Sequence, residues 1–207
     1  FVMGDKADAA DAQAATLLAQ RGFVAVSVNY RLSSTFAFFG PGMVPAATEA
    51  KADVQSALRW IRANSRSLDV DPTHIGVAGA SAGGLTALHV GYAEHAEMAV
   101  SAQSVVSLSG AGLLPIATWA GSPSALMVNG TSDTLVPIDA ARATCTQLDE
   151  GRDRCESMEV PAGHSLNGYE ATVTQATIDH LVRTLQPDPA IAFGTWLRDL
   201  RRGSSWR

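Results

Sequence analysis

One stretch constrains this chain more than any other. Gly79-Ala80-Ser81-Ala82-Gly83-Gly84 follows an apolar run, His74-Ile75-Gly76-Val77-Ala78, and precedes a helical pattern of Leu85, Leu88, His89 and Tyr92. Strand, then G-x-S-x-G, then helix is the order that a nucleophile elbow requires. A serine at so sharp a turn has a strained backbone crowded by neighbouring strands. Glycines two residues before and two after remove the Cβ atoms that would clash. The turn also aims the hydroxyl outward at a helix N-terminus, where backbone N–H groups favour developing negative charge. So short a pattern also arises by chance, so its context and its partners along the chain must carry the argument.

The context is a regular alternation of strand and helix. A helix capped by Asp5, with Ala10, Ala14, Leu17 and Leu18 on one face, ends at Gly22. Phe23 to Tyr30 is β-branched and aromatic, and reads as a buried parallel strand. The loop from Arg31 to Pro45 contains the breaker Gly40-Pro41-Gly42 and an apolar group, Phe36, Phe38, Phe39 and Met43. A long helix over Ala46 to Leu68 presents Val54, Leu58 and Ile61, and Asp71-Pro72 stops the chain before the strand entering Ser81. Three more strands are expected over Ser104–Gly110, Ala125–Gly130 and Cys155–Val160. Trp119 lies in the connection 111–123. Helices are expected over 137–149 and around Ile178, Leu181, Val182 and Leu185. This order argues for an α/β protein, a mostly parallel sheet flanked by helices, over residues 1–186. Residues 187–207 lose the rhythm, and Arg198, Arg201, Arg202 and Arg207 read as a solvated tail.

Composition narrows the function classes. At 207 residues, 46% hydrophobic and 17% charged, the chain has apolar content for one sizeable core. A net charge of −5 gives no support for binding nucleic acid or an anionic membrane. No apolar stretch approaches the roughly 18–20 residues that span a bilayer. Cys145 and Cys155 lack zinc-ligand spacing, and two thiols without histidine partners make a poor metal site. They read as buried thiols or as a disulfide. A disulfide would imply an oxidising compartment, secreted or periplasmic, and free thiols a cytoplasmic one.

In a parallel sheet, functional residues gather beyond the carboxyl ends of strands. Ser81, Asp133 and His164 all occupy such places, in that chain order. A serine hydroxyl is too weak an acid to attack a carbonyl at neutral pH, so an imidazole must take its proton. A carboxylate must in turn fix the imidazole tautomer and stabilise the imidazolium formed. His164 follows a strand within Pro161-Ala162-Gly163, and Asp133 ends Gly130-Thr131-Ser132. The other histidines fit less well: His89 on an apolar helical face, His74 at the far end of a strand, His95 beyond the elbow helix, and His180 inside the closing helix. Asp133 as a helix cap, or Asp139 as the acid, are the competing readings of that segment.

Several segments together resemble an α/β-hydrolase of the esterase and lipase group that includes hormone-sensitive-lipase-like and feruloyl- or acetylxylan-esterase-like carboxylesterases. They are Phe1-Val2-Met3-Gly4-Asp5, Val28-Asn29-Tyr30-Arg31-Leu32, Arg59-Trp60-Ile61, Asp71-Pro72 with Ile75, Gly79 to Gly84, Gly130 to Pro137, and Gly163-His164. The resemblance implies a serine hydrolase of carboxylic esters. Ser81 would be its nucleophile, His164 its base, Asp133 its acid and the Ala82 N–H an oxyanion-hole donor. The substrate would be a small-molecule ester, with no metal or cofactor. In that group a His-Gly-Gly-Gly segment supplying further oxyanion donors immediately precedes the position matched by Phe1. The resemblance thus implies a chain lacking the first three strands, one of which lies between the 23–30 strand and the elbow strand. The same fold and triad also serve prolyl-oligopeptidase-like peptidases, and hydrolase-like interaction proteins use the fold without catalysis. Oligomeric state leaves no trace in the sequence.

Overall fold

The computed structural model describes residues 5–33, 42–92, 102–149 and 154–185. Phe1 to Gly4, Phe36, Phe38, Phe39, Gly40-Pro41, His95, the tail from 187 and the side chain of Ala10 lie outside the described residues.

Helix α1, Ala9–Ala19, ends as the sequence predicts. Gly22 takes φ 88°, and the N–H groups of Gly22 and Phe23 reach the carbonyls of Ala19 and Leu18 at 3.0 and 3.2 Å. This is a Schellman closure, and a residue without Cβ adopts it at least cost. The start of the helix departs from expectation, because Asp8 and not Asp5 stands before the first helical residue. The Asp5 carboxylate instead accepts the Ala7 N–H at 2.9 Å, closing a tight turn ahead of the helix.

Phe23 to Tyr30 also departs from expectation. It alternates between half-buried and exposed positions but joins no sheet, and Val24 and Val26 are 52% and 48% exposed. β-branched residues favour an extended backbone, yet a strand also needs a neighbour to pair its N–H and C=O groups. Among the described residues no strand pairs with this segment. Arg31, just beyond it, ties the segment to the next helix. Its backbone N–H and its guanidinium all bond to Asp53, at 2.8 to 3.1 Å.

Helix α2 runs over Met43–Ala63 and the short α3 over Ser65–Leu68, where one longer helix is expected. The chain turns out of α2 at Asn64, and Asp69 ends α3 in the left-handed region. Pro45 falls inside α2 and not in the loop before it. In the first helical turn its missing N–H would have no intrahelical partner anyway.

From here the alternation is regular: β1 Gly76–Ala80, α4 Ala82–Gly91, β2 Ser104–Leu108, β3 Ser124–Gly130, α5 Ile138–Asp149, β4 Cys155–Val160 and α6 Glu170–Leu185. The four strands are parallel and lie in chain order, β1-β2-β3-β4. Alternate residues of the sheet supply two cores. On one face Val105, Ala125 and Met127 pack with Leu88 of α4, Tyr92 just after that helix, and Ala141, Cys145 and Leu148 of α5. On the other, Val106, Leu126, Val128 and Val160 pack with Val173, Leu181 and Leu185 of α6, with Leu18 of α1 alongside. The result is a three-layer α/β/α fold, in which α2 packs against α4. Cys145 and Cys155 are joined as a disulfide between α5 and the first residue of β4.

Candidate active site

Three strand ends build the site. Ser81 links β1 directly to α4 with φ 53° and ψ −117°, a backbone conformation that a residue with a Cβ rarely adopts. Its N–H donates to the Leu108 carbonyl of β2 at 2.7 Å, and its own carbonyl accepts the Leu85 N–H at 3.0 Å. The glycine requirement is sharper than the sequence pattern suggests. A Cβ on Gly79 would lie 2.4 Å from the Gly83 carbonyl carbon, because the elbow folds back on itself. On Gly83 a Cβ would meet no described atom within 4 Å, so the expectation that this glycine relieves a clash is corrected. The second close approach is at Gly84, where a Cβ would lie 3.0 Å from the Leu108 carbonyl oxygen.

Asp133 stands in the turn after β3. Beyond the strands, β3 and β4 stay in register through Thr131 N–H to Val160 O at 2.9 Å and Ser132 N–H to Ala162 O at 3.0 Å. That pairing brings Asp133 and His164 side by side. The Asp133 side chain is fully buried, and its Oδ1 accepts the N–H groups of Leu135 and Val136 at 2.8 and 2.9 Å. These bonds close a local turn and do not cap α5, which begins later, at Ile138. They leave Oδ2 to face His164 Nδ1 at 2.7 Å.

His164 Nε2 lies 2.7 Å from Ser81 Oγ. With a carboxylate at Nδ1, the hydrogen bonds assign the proton to Nδ1 and leave the Nε2 lone pair to accept from the serine hydroxyl. The His164 side chain is 21% exposed, so the imidazole borders solvent while its carboxylate partner does not. Serine, histidine and aspartate thus form one continuous hydrogen-bonded chain from the surface to a buried anion. Ala82 opens α4, where the first N–H groups have no intrahelical partner.

The competing residues are engaged elsewhere. His89 is buried in α4, and its Nε2 accepts the N–H groups of Leu113 and Leu114 at 3.0 and 3.1 Å. Burial, reinforced by the Lys51 ammonium, lowers its pKa to about 4. His74 is exposed and bonded to Asp71 at the amino end of β1. Asp71 is itself held down to about 2, chiefly by the Thr73 hydroxyl and N–H. His180 is buried in α6, and Asp139 is an exposed partner of Arg142. Trp119, on the 111–123 connection, is half-buried. One residue at the site escapes sequence reasoning. Ser109 follows β2, and its hydroxyl donates to the His164 carbonyl at 2.6 Å. A serine beside a glycine at a strand end carries no signal of that contact.

Fold and site define the class as an α/β-hydrolase. The BD-FAE family model matches residues 1–110, and the chain belongs to that family. A carboxylic ester hydrolase of Bombus ignitus is 29% identical over 178 residues, covering 81% of this chain. The chain spans about a third of that relative's length (31%). Among solved structures, Thermogutta terrifontis esterase 2 phosphonylated by cyclosarin superposes with a TM-score of 0.72 at 23% identity, over 88% of this chain and 78% of the other. The propionate-bound form of the same esterase gives 0.72 at 22% identity, over 88% and 79% of the two chains. Its apo form gives 0.69 at 24%, over 88% and 79%.

Proposed function

We propose that this protein is a serine hydrolase of carboxylic esters. The observation that carries the reading is the pair of 2.7 Å hydrogen bonds in series, Ser81 to His164 and His164 to Asp133. Membership of the BD-FAE family and the name of the Bombus relative support the ester as substrate class.

In this mechanism Ser81 Oγ attacks the ester carbonyl carbon while its proton passes to His164 Nε2. Asp133 stabilises the imidazolium, and the Ala82 N–H at the head of α4 donates to the tetrahedral oxyanion. Collapse expels the alcohol, which takes the proton from His164, and leaves Ser81 acylated. A water molecule gives a proton to His164 and attacks the acyl carbon. The second collapse releases the acid and returns that proton to Ser81. Every proton passes through His164 Nε2, from Ser81 to the leaving alcohol and then from water back to Ser81, so the cycle returns the triad to its starting state.

A short acyl group is the preferred substrate, in line with the propionate- and butyrate-bound forms of the Thermogutta esterase. The Cys145–Cys155 disulfide supports an oxidising compartment as the working environment. The test is hydrolysis of p-nitrophenyl acetate and butyrate, with Ser81→Ala as control, together with labelling by a fluorophosphonate. The phosphonylated Thermogutta esterase makes that reagent apt. Turnover and labelling that both vanish in a folded Ser81→Ala chain are the expected result. A folded wild type that neither hydrolyses esters nor takes the label would leave a hydrolase-like binding protein. Peptide amides cleaved as fast as esters would favour the peptidase.

A further inference from the structure

β2 separates the strand that ends in Ser81 from the strand that leads to Asp133, and the base must reach across it. His164 emerges from β4, while Ser81 ends β1 at the other side of the sheet. Asp133 at Nδ1 and Ser81 at Nε2 hold the ring, and neither touches the His164 backbone. The carboxyl end of β2 supplies the second point of fixation. Ser109 is 2% exposed, its N–H is anchored to the Val128 carbonyl of β3 at 2.7 Å, and its hydroxyl donates to the carbonyl oxygen of His164 itself at 2.6 Å. The neighbouring residue is held as well, since Asn129 Nδ2 donates to the Gly110 carbonyl at 3.1 Å.

The backbone shows what this placement costs. Ser109 has φ 50°, a left-handed conformation that glycine adopts freely and serine does not. A glycine would be the relaxed choice at this corner, yet the residue there carries a hydroxyl, and that hydroxyl is spent on the residue bearing the proposed base. Strain held at a site of this kind points to function.

Resting on the Ser81–His164–Asp133 reading, we propose that Ser109 is a positioning residue, whose hydroxyl pegs the His164 backbone so that Nε2 stays in line with Ser81 Oγ. It touches neither substrate nor reacting atoms and acts through His164. Sub-ångström displacement of a base is felt in the chemical step and not in substrate binding.

The experiment compares wild type with Ser109→Ala and Ser109→Gly in three readouts: steady-state hydrolysis of p-nitrophenyl butyrate, thermal unfolding, and the low-field proton resonance of His164 Nδ1–H. Both variants should lose about 10- to 100-fold in kcat while KM stays within about twofold. Ser109→Gly should unfold no earlier than Ser109→Ala, because it relieves the left-handed strain, and yet be no faster. The His164 resonance should broaden or vanish in both. Ser109→Gly with wild-type kcat, or losses that follow unfolding temperature alone, would show a merely structural role and overturn the proposal. A wild type without esterase activity would sink the functional reading. The resonance would still decide this one: unchanged in both variants it overturns the peg, broadened in both it upholds it.

Discussion

Acidification should loosen this protein through a histidine that has no part in the proposed chemistry. His89 is 2% exposed, and its Nε2 accepts two backbone N–H groups at the start of the 111–123 connection. A protonated ring has no lone pair there, so charging it breaks both bonds and puts a cation in a buried position that also feels the Lys51 ammonium. Its pKa accordingly stands at about 4 in the fold, against 6.5 ordinarily. As pH falls below about 6.5 the unfolded chain takes up this proton and the folded chain resists until about 4. Stability is therefore fully present above that window and declines through it. The linkage integral gives a loss of about 2 kcal/mol by about pH 5 and about 3 kcal/mol by about pH 4. His180, also depressed by burial, pushes in the same direction, so the His89 share must be isolated by a variant. His89→Gln keeps an acceptor for the two N–H groups and does not titrate. Urea unfolding at about pH 7, 6 and 5 should show the wild type losing about 2 kcal/mol more than His89→Gln. Equal losses in the two chains would mean that His89 is charged in the fold, and the reasoning would be refuted.

The remaining predictions concern the elbow, the acid, the disulfide and the surface. Asp133→Asn should fold normally, with its turn still closed, and lose about 10⁴-fold in kcat by favouring the wrong His164 tautomer. Gly79→Ala should abolish ester hydrolysis and soluble yield together, because its Cβ would overlap backbone at Gly83. Gly83→Ala should keep a wild-type fold and raise stability by about 0.5–1 kcal/mol as measured in urea, since its Cβ enters open space in a helix. Reducing the Cys145–Cys155 bond, which closes a separation of 10 residues, should cost about 2–3 kcal/mol in the same assay. Arg31→Ala should leave the urea midpoint almost unchanged, because the Arg31 guanidinium is exposed and solvent screens its ion pairs with Asp53 and Glu49.

What sequence reasoning recovers here is what local chemistry dictates. The elbow is legible because Gly79 and Ser81 satisfy a steric demand written into consecutive residues. Asp133 and His164 are legible because both follow expected strands, and parallel pairing sends all such positions to one end of the sheet. Phe23 to Tyr30 misleads because β propensity describes a backbone preference, whereas sheet membership depends on a neighbour. Asp8 displaces Asp5 as the residue before α1 because a turn competes for the Asp5 carboxylate, a contest between hydrogen bonds that spacing cannot weigh. Ser109 is invisible for a related reason: its role lies in a contact 55 positions away along the chain.

The strand order has a consequence for how activity arises in time. The serine and the imidazole are 83 positions apart, and the strand bearing the base is the last to join the sheet in sequence. Parallel pairing over such separations is intrinsically slow, because each strand must wait for a crossover to close. A nascent or half-folded chain can therefore present Ser81 on its elbow while having nothing to take its proton. Hydrolysis should switch on only with the docking of β4, so that during refolding catalysis lags behind helix formation and reports the completed molecule.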